Sequence, residues 1–199
     1  GDKTVAYVLK SGSGLINNQN ASIGTGSIYV YGNGTGEIVN NASSIIMTGP
    51  ESMGYYLTNS EGLINNADIT GLANGNMGIY SDKGSVVNSG NITLGDSEII
   101  DENDSSKNRY AIGIYGEDAE VNNSGNIKTG YRGTGIYTEN NKLTNSGNIT
   151  SDGEYAVGLW GSKAVIENNG EIVMNGDYSQ GIMGTSQSNI VNNSIITMN

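Results

Sequence analysis

Eight asparagines recur along this chain at near-constant intervals, and that spacing limits the fold more than any other feature. Asn17, Asn40, Asn65, Asn88, Asn123, Asn145, Asn168 and Asn192 lie 23, 25, 23, 35, 22, 23 and 24 residues apart. The sequence around three of them nearly repeats itself: Val86-Val87-Asn88-Ser89-Gly90-Asn91-Ile92, Val121-Asn122-Asn123-Ser124-Gly125-Asn126-Ile127 and Leu143-Thr144-Asn145-Ser146-Gly147-Asn148-Ile149. Self-similarity at a fixed period of this size is the signature of a solenoid or another repeat architecture. The single long interval marks an insertion of about a dozen residues within an otherwise regular array.

Apolar residues keep step with the anchors. Two residues before each stands an aliphatic: Leu15, Ile38, Leu63, Val86, Val121, Leu143, Ile166 and Ile190. Four residues after most of them stands Ile, at 69, 92, 127, 149, 172 and 196, with Ile23 and Ile45 displaced in the first two repeats. A second column runs ahead of the anchors: Val8, Val30, Tyr55, Ile79, Ile114, Ile136, Leu159 and Ile182. Offsets of two and four place these residues and the anchor on one face of a strand. Their mostly β-branched character favours strand over helix, and the Gly, Asn, Asp and Ser between them turn the chain. Each repeat therefore reads as three short strands and three turns.

Such a unit cannot bury its apolar face alone, but stacked copies enclose a narrow aliphatic core. The fold expected is all-β: a parallel β-helix of about eight coils with a period of about 23 residues, near 40 Å long at about 4.8 Å per coil. A leucine-rich repeat has an overlapping period, yet it needs more leucine and an outer helical arm. Residues 1–199 read as one such segment, excised from a longer chain, with an inserted loop over residues 95–108. Glycine is expected to mark the corners.

Composition narrows the chemistry. The chain holds 31 Gly and 29 Asn among 199 residues, and no Phe, His or Cys. Without His or Cys there is no Ser-His-Asp triad, His-ligated metal, thiol nucleophile or disulfide frame. Nine basic against 20 acidic residues, a net charge of −11, argue against nucleic acid as a partner. No cofactor, catalytic residue or metal site is expected. The insertion's Asp101-Glu102-Asn103-Asp104 is acidic, but Ser106 and Ile112 stand where a calcium loop needs Gly and Glu.

The anchors read first as scaffold. A buried amide must satisfy both its carbonyl and its NH₂, and Asn stacked on Asn does this by donating to one neighbour and accepting from the other. A third column, Leu9, Tyr31, Tyr56, Tyr80, Tyr115, Tyr137, Trp160 and Met183, follows the second aliphatic by one residue, so parity turns it outward. Its aromatics would pack as a ladder over the core. Tyr56, Tyr80, Tyr115, Tyr137 and Trp160 are also the residue types that dominate binding energy at interfaces. The insertion offers a second candidate surface through Asp96, Glu98, Asp101, Glu102 and Asp104, because loops on repeat scaffolds often carry function.

The runs of N-S-G-N-I, preceded by Gly78-Ile79-Tyr80, Gly113-Ile114-Tyr115 and Gly135-Ile136-Tyr137, resemble passenger domains of autotransporter (type V secretion) adhesins. They are most similar to the very large Asn- and Gly-rich passengers of oral anaerobic Gram-negative bacteria. The resemblance implies a right-handed β-helix displayed outside the cell, anchored in the outer membrane through a C-terminal barrel absent from these residues. It implies a non-enzymatic adhesin whose partner is a host cell-surface protein or glycan, or another bacterium. The competing expectations are a carbohydrate-active β-helix enzyme, a polysaccharide lyase or hydrolase, and a passive spacer. The enzyme reading needs clustered carboxylates with a base, and the acids outside the insertion are scattered at one or two per repeat.

Overall fold

Each repeat closes into one coil of three short strands. The computed structural model describes residues 1–199. Its strands form three parallel sheets of eight, and every strand pairs only with its counterparts one coil before and after. In the fifth coil these strands are Ile112–Glu117, Glu120–Asn123 and Ile127–Thr129. The array is thus a parallel β-solenoid of eight coils. Only the insertion departs from it, with an antiparallel bridge between Glu98 and Arg109 and a 3₁₀ turn at Ser105–Lys107.

Three inward columns run the length of the stack. The first sheet aligns Ile79, Ile114, Ile136 and Leu159. The second aligns Val86, Val121, Leu143 and Ile166, and the third Ile92, Ile127, Ile149 and Ile172. All of them are buried. Full burial of one such side chain contributes about 1.5–3 kcal/mol, and no coil could gain it without a neighbour above and below.

The Asn column lies inside, as its parity implies. From Asn65 onward each side-chain NH₂ donates to the next carbonyl oxygen: Asn65 to Asn88, Asn88 to Asn123 and Asn123 to Asn145 at 2.8 Å, Asn145 to Asn168 at 2.9 Å, and Asn168 to Asn192 at 2.8 Å. The second NH of each closes its own turn on the carbonyl two residues on, such as Gly125 O at 2.7 Å and Gly147 O at 2.8 Å. The 35-residue interval leaves the ladder unbroken, because the insertion loops out of a turn and not a strand.

The first coils differ from the pattern in three ways. Tyr7, and not Val8, stands in the inward column opposite Val30, while Val8 pairs with Tyr31 and is 57% exposed. The aliphatic column with Val8 and the outward column with Leu9 are therefore one residue out of step in this strand, and one residue inverts every side chain; Leu9 accordingly packs on the core beside Gly32. In the third sheet Ala21 aligns with Ile45, and Ile23 sits two residues along, opposite Met47. Thirdly, the core here is aromatic and not purely aliphatic: Tyr7, Tyr29 and Tyr55 meet edge to face at 5.6 and 5.7 Å. Tyr55 enters the ladder itself. Asn40 donates to its hydroxyl at 2.7 Å, and that hydroxyl donates to Asn65 at 3.0 Å.

Glycine acts mainly by allowing close approach. A Cβ on Gly113 would lie 2.5 Å from the Gly135 carbonyl oxygen and 2.9 Å from Ile127 Cγ2, so the residue ahead of the inward Ile has no room for a side chain. Glycine does stand in many corners, as at Gly90, Gly125, Gly147 and Gly170, but the left-handed corner positions are held mostly by other residues. Thirteen non-glycine residues adopt positive φ against five glycines. They fall at two of the three corners, where the conformation aims the N–H at the next coil, as in Asp118 to Glu139 O at 3.0 Å and Arg132 to Glu154 O at 2.9 Å. A left-handed residue costs roughly 1–2 kcal/mol, and the continuous inter-coil ladder offsets it.

Two isosteric changes separate hydrogen bonding from packing. Tyr55→Phe strands the Asn40 NH₂ and the Asn65 carbonyl in a buried site, and a loss of about 2–4 kcal/mol is expected in urea unfolding. Tyr29→Phe removes a buried hydroxyl that has no partner, so it should be neutral or slightly stabilising. Equal effects from both would contradict the assignment of Tyr55 as a link in the ladder.

Candidate binding face

On the first sheet the residue after each inward Ile points out, and the parallel register carries its ring from coil to coil. Successive centroids are 5.8 Å apart for Tyr31–Tyr56, 4.9 Å for Tyr56–Tyr80, 5.2 Å for Tyr80–Tyr115, 4.7 Å for Tyr115–Tyr137 and 4.8 Å for Tyr137–Trp160. The five aromatics singled out by sequence therefore form one continuous stack, which Tyr31 extends by a ring. Pairs of this kind contribute about 0.5–1.5 kcal/mol beyond their burial, so the stripe stabilises the solenoid whether or not it binds anything. The rings remain half-exposed.

A polar column flanks the stripe two residues downstream. Asp82, Glu117 and Glu139 stand in register on three consecutive coils. The Tyr80 hydroxyl donates to Glu117 Oε2 at 2.6 Å, and the Tyr137 hydroxyl to Glu139 Oε2 at 3.3 Å. Burial, reinforced by the Glu117 carboxylate, pushes the Tyr80 phenol well above its ordinary value. Burial and then the charges of Glu117 and Glu139 do the same for Tyr115 and Tyr137 respectively. The acids outside the insertion, scattered along the sequence, are thus partly aligned in the fold. The signal was the recurring Tyr-x-Asp/Glu at Tyr80, Tyr115 and Tyr137.

The insertion leaves the corner between the third strand of one coil and the first strand of the next, and returns through a pinned neck. Glu98 and Arg109 exchange backbone hydrogen bonds at 2.8 and 2.9 Å and pair through their side chains at 2.6 Å, while Glu51 meets Arg109 from two coils away at 3.3 Å. The other acids singled out here also turn to partners in the chain. Asp96 accepts the Tyr131 N–H at 2.8 Å, Asp101 and Asp104 pair with Lys107 at 2.9 and 3.4 Å, and Glu102 reaches Arg132 at 3.1 Å. Lys107 and the Asn103 N–H hold the Asp101 carboxyl below its usual range; the Ser106 hydroxyl and then Lys107 do so for Asp104. No group of three His, Cys, Asp or Glu side chains converges as metal ligands would.

Ser105 of the insertion and Tyr110, just past its end, reach the stripe. Ser105 and Tyr110 form one wall of a recess of about 410 Å³ whose remaining lining is Ile112, Tyr115, Thr134, Tyr137 and Trp160. The aromatic column and the inserted loop therefore meet at one place. Tyr110 and Ser105 carry no repeat signal, since they lie in the one segment with no counterpart in other coils.

A second aromatic column runs along the corner that leads into the first sheet. Tyr131, Tyr155 and Tyr178 are spaced by 6.3 and 4.9 Å, the last pair stacked at 13°. The Arg132 guanidinium lies 5.5 Å from the Tyr131 ring and 5.2 Å from that of Tyr155, with Glu102 closing on it. Arg132, Tyr155 and Tyr178 all have positive φ.

Compared with known proteins, the chain matches a family model described as the BigA third pectate lyase-like domain over residues 4–161, which is 158 of its 199 residues. No curated protein and no solved structure matches it.

The raised phenols give a pH dependence. An unfolded Tyr ionises near pH 10, whereas burial lifts Tyr29 to about 12 and raises Tyr80, Tyr115 and Tyr137 as well. Above pH 10 the folded state therefore holds more protons than the unfolded one. The stability contribution is complete below about pH 10 and is lost as the pH rises towards the folded values. Tyrosinate absorbance of these phenols is expected to appear together with loss of the β circular-dichroism signal. Ionisation of all 12 Tyr near pH 10 with that signal intact would contradict it.

Proposed function

The chain belongs to the BigA third pectate lyase-like domain family, and from that premise we propose that it is a non-enzymatic binding segment of a bacterial cell-surface or secreted adhesin. Its role is attachment to host cells or to other bacteria, through non-covalent contact with a protein or glycan. The observation that carries this reading is the recess where Ser105 and Tyr110 close over Tyr115, Tyr137 and Trp160. An aromatic ladder explains itself by packing, but a loop that leaves the repeat only to wall one stretch of it does not. Tyr and Trp concentrate binding energy because they remove large, stiff surfaces from water. A stack of coils with fixed register presents them already ordered.

A polysaccharide lyase or hydrolase is compatible with the family's description and with the aligned carboxylates of Asp82, Glu117 and Glu139. What supports binding over chemistry is the lining of the recess, which includes no carboxylate, Lys or Arg. General acid–base catalysis needs such a group within hydrogen-bond reach of the scissile bond. The carboxylates of Glu117 and Glu139 instead accept hydrogen bonds from Tyr80 and Tyr137.

The test is attachment of the purified chain to host cells, to bacteria and to immobilised glycans and proteins. Tyr115→Ala/Tyr137→Ala and Trp160→Ala are expected to weaken attachment at least tenfold, about 1.4 kcal/mol, while circular dichroism shows the coils intact. Tyr31→Ala, at the far end of the same stack, should leave it unchanged. Undiminished attachment of the recess variants, or release of shortened oligosaccharides from a polysaccharide, would contradict the proposal.

A further inference from the structure

We propose that the aromatic face takes a linear glycan whose sugars carry free amino groups, lying along the solenoid axis with about one ring per coil. The inference rests on the binding role above and narrows its partner class. Three observations carry it.

The first is the rise. Rings from Tyr56 to Trp160 succeed one another every 4.9, 5.2, 4.7 and 4.8 Å. A 1,4-linked pyranose chain advances by nearly that much per sugar, so each sugar can lay a C–H face against a successive aromatic edge or face. An extended peptide repeats its same-face side chains every two residues, about 6.6–6.8 Å, and falls out of step with the coils within two or three of them.

The second is charge. Asp82, Glu117 and Glu139 border Tyr80, Tyr115 and Tyr137, one carboxylate per ring. None of the three belongs to an ion pair. Tyr80 and Tyr137 each donate to one carboxylate oxygen, Oε2 of Glu117 and of Glu139, which orients these groups and leaves them further acceptor capacity. An ammonium group on each sugar would meet a waiting acceptor through a charge-assisted hydrogen bond. A uronic acid polymer would meet like charge on a chain of net −11.

The third is an internal precedent. Arg132 lies 5.2 and 5.5 Å from two Tyr rings and is closed by Glu102. This chain therefore already seats one cation between aromatics and a carboxylate, the combination that the stripe offers open to solvent.

The experiment is titration calorimetry of the full 199-residue chain with three probes: a 1,4-linked glucosamine hexasaccharide, its fully N-acetylated counterpart and a galacturonate hexasaccharide. The amino form should bind at least tenfold more tightly than the acetylated one, with affinity falling as salt rises, and the galacturonate should not bind. Glu117→Gln/Glu139→Gln should reduce the amino sugar to the acetylated level with the fold unchanged. Equal binding of the amino and acetylated forms, or no effect of the Gln variants, overturns the amino-sugar assignment. Silence of all three probes while cell attachment still depends on Tyr115 and Tyr137 overturns the glycan and leaves the binding role standing. In that case saturable binding of an oligo-arginine peptide identifies a basic protein surface as the occupant. Failure of the glycans together with attachment indifferent to Tyr115 and Tyr137 overturns both.

Discussion

One side-chain amide hydrogen bond, repeated from coil to coil, holds this molecule in register. From Asn88 to Asn168 each Asn donates to the next and accepts from the one before, and its remaining N–H ties its own turn. In the low dielectric of the core such bonds strengthen one another, and an unpaired amide there is expensive. A coil that slipped by one residue would turn its Asn outward and its Ile with it. The ladder therefore selects one register among those that a Gly-rich, weakly patterned strand could adopt. Hydrophobic burial supplies the driving force, and the amides decide which arrangement receives it.

The remaining features follow from how narrow the coil is. Three short strands enclose little more than one aliphatic from each sheet per level, so the backbone approaches within van der Waals contact at Gly113 and its equivalents. The corners must both turn sharply and keep their N–H groups aimed along the axis, and left-handed residues achieve this at Asp118, Asn140 and Arg132. Because every coil repeats the same path, anything placed outward is copied at the same spacing. The aromatic stack and the carboxylates beside it are consequences of register and not of local affinity between rings. The insertion is accommodated at a corner, where a detour disturbs no sheet, and it acts on the face only by walling it.

What the sequence disclosed was what the repeat writes many times. The Asn column, the three inward columns of the interior coils and the outward aromatics are each fixed by parity and by several copies. Errors cluster where copies are few or imperfect. In the first coil Val8 is the natural aliphatic match to Val30, but Tyr7 fills that place, packed edge to face on Tyr29 of the next coil and donating its hydroxyl to Asn17. Tyr55 was assigned to the right column, yet nothing in its spacing reveals that its hydroxyl substitutes for a direct Asn40–Asn65 contact. The acids of the insertion drew attention by composition, whereas their partners, Lys107, Arg109 and Arg132, are visible only once the loop is folded. Ser105 and Tyr110 stand in the one segment with no repeat to read. The alignment of Asp82, Glu117 and Glu139 was legible in principle from their common offset to Tyr.

The most direct test of the account is the stability of Asn123→Ala in urea. That change leaves one Asn88 N–H, the Asn145 side-chain carbonyl and the Gly125 carbonyl without their Asn123 partner in the middle of the stack, and a loss of about 2–4 kcal/mol is expected from these stranded buried groups. A change of less than about 0.5 kcal/mol, the range of an ordinary surface substitution, would show that the amide ladder is not what fixes the coils.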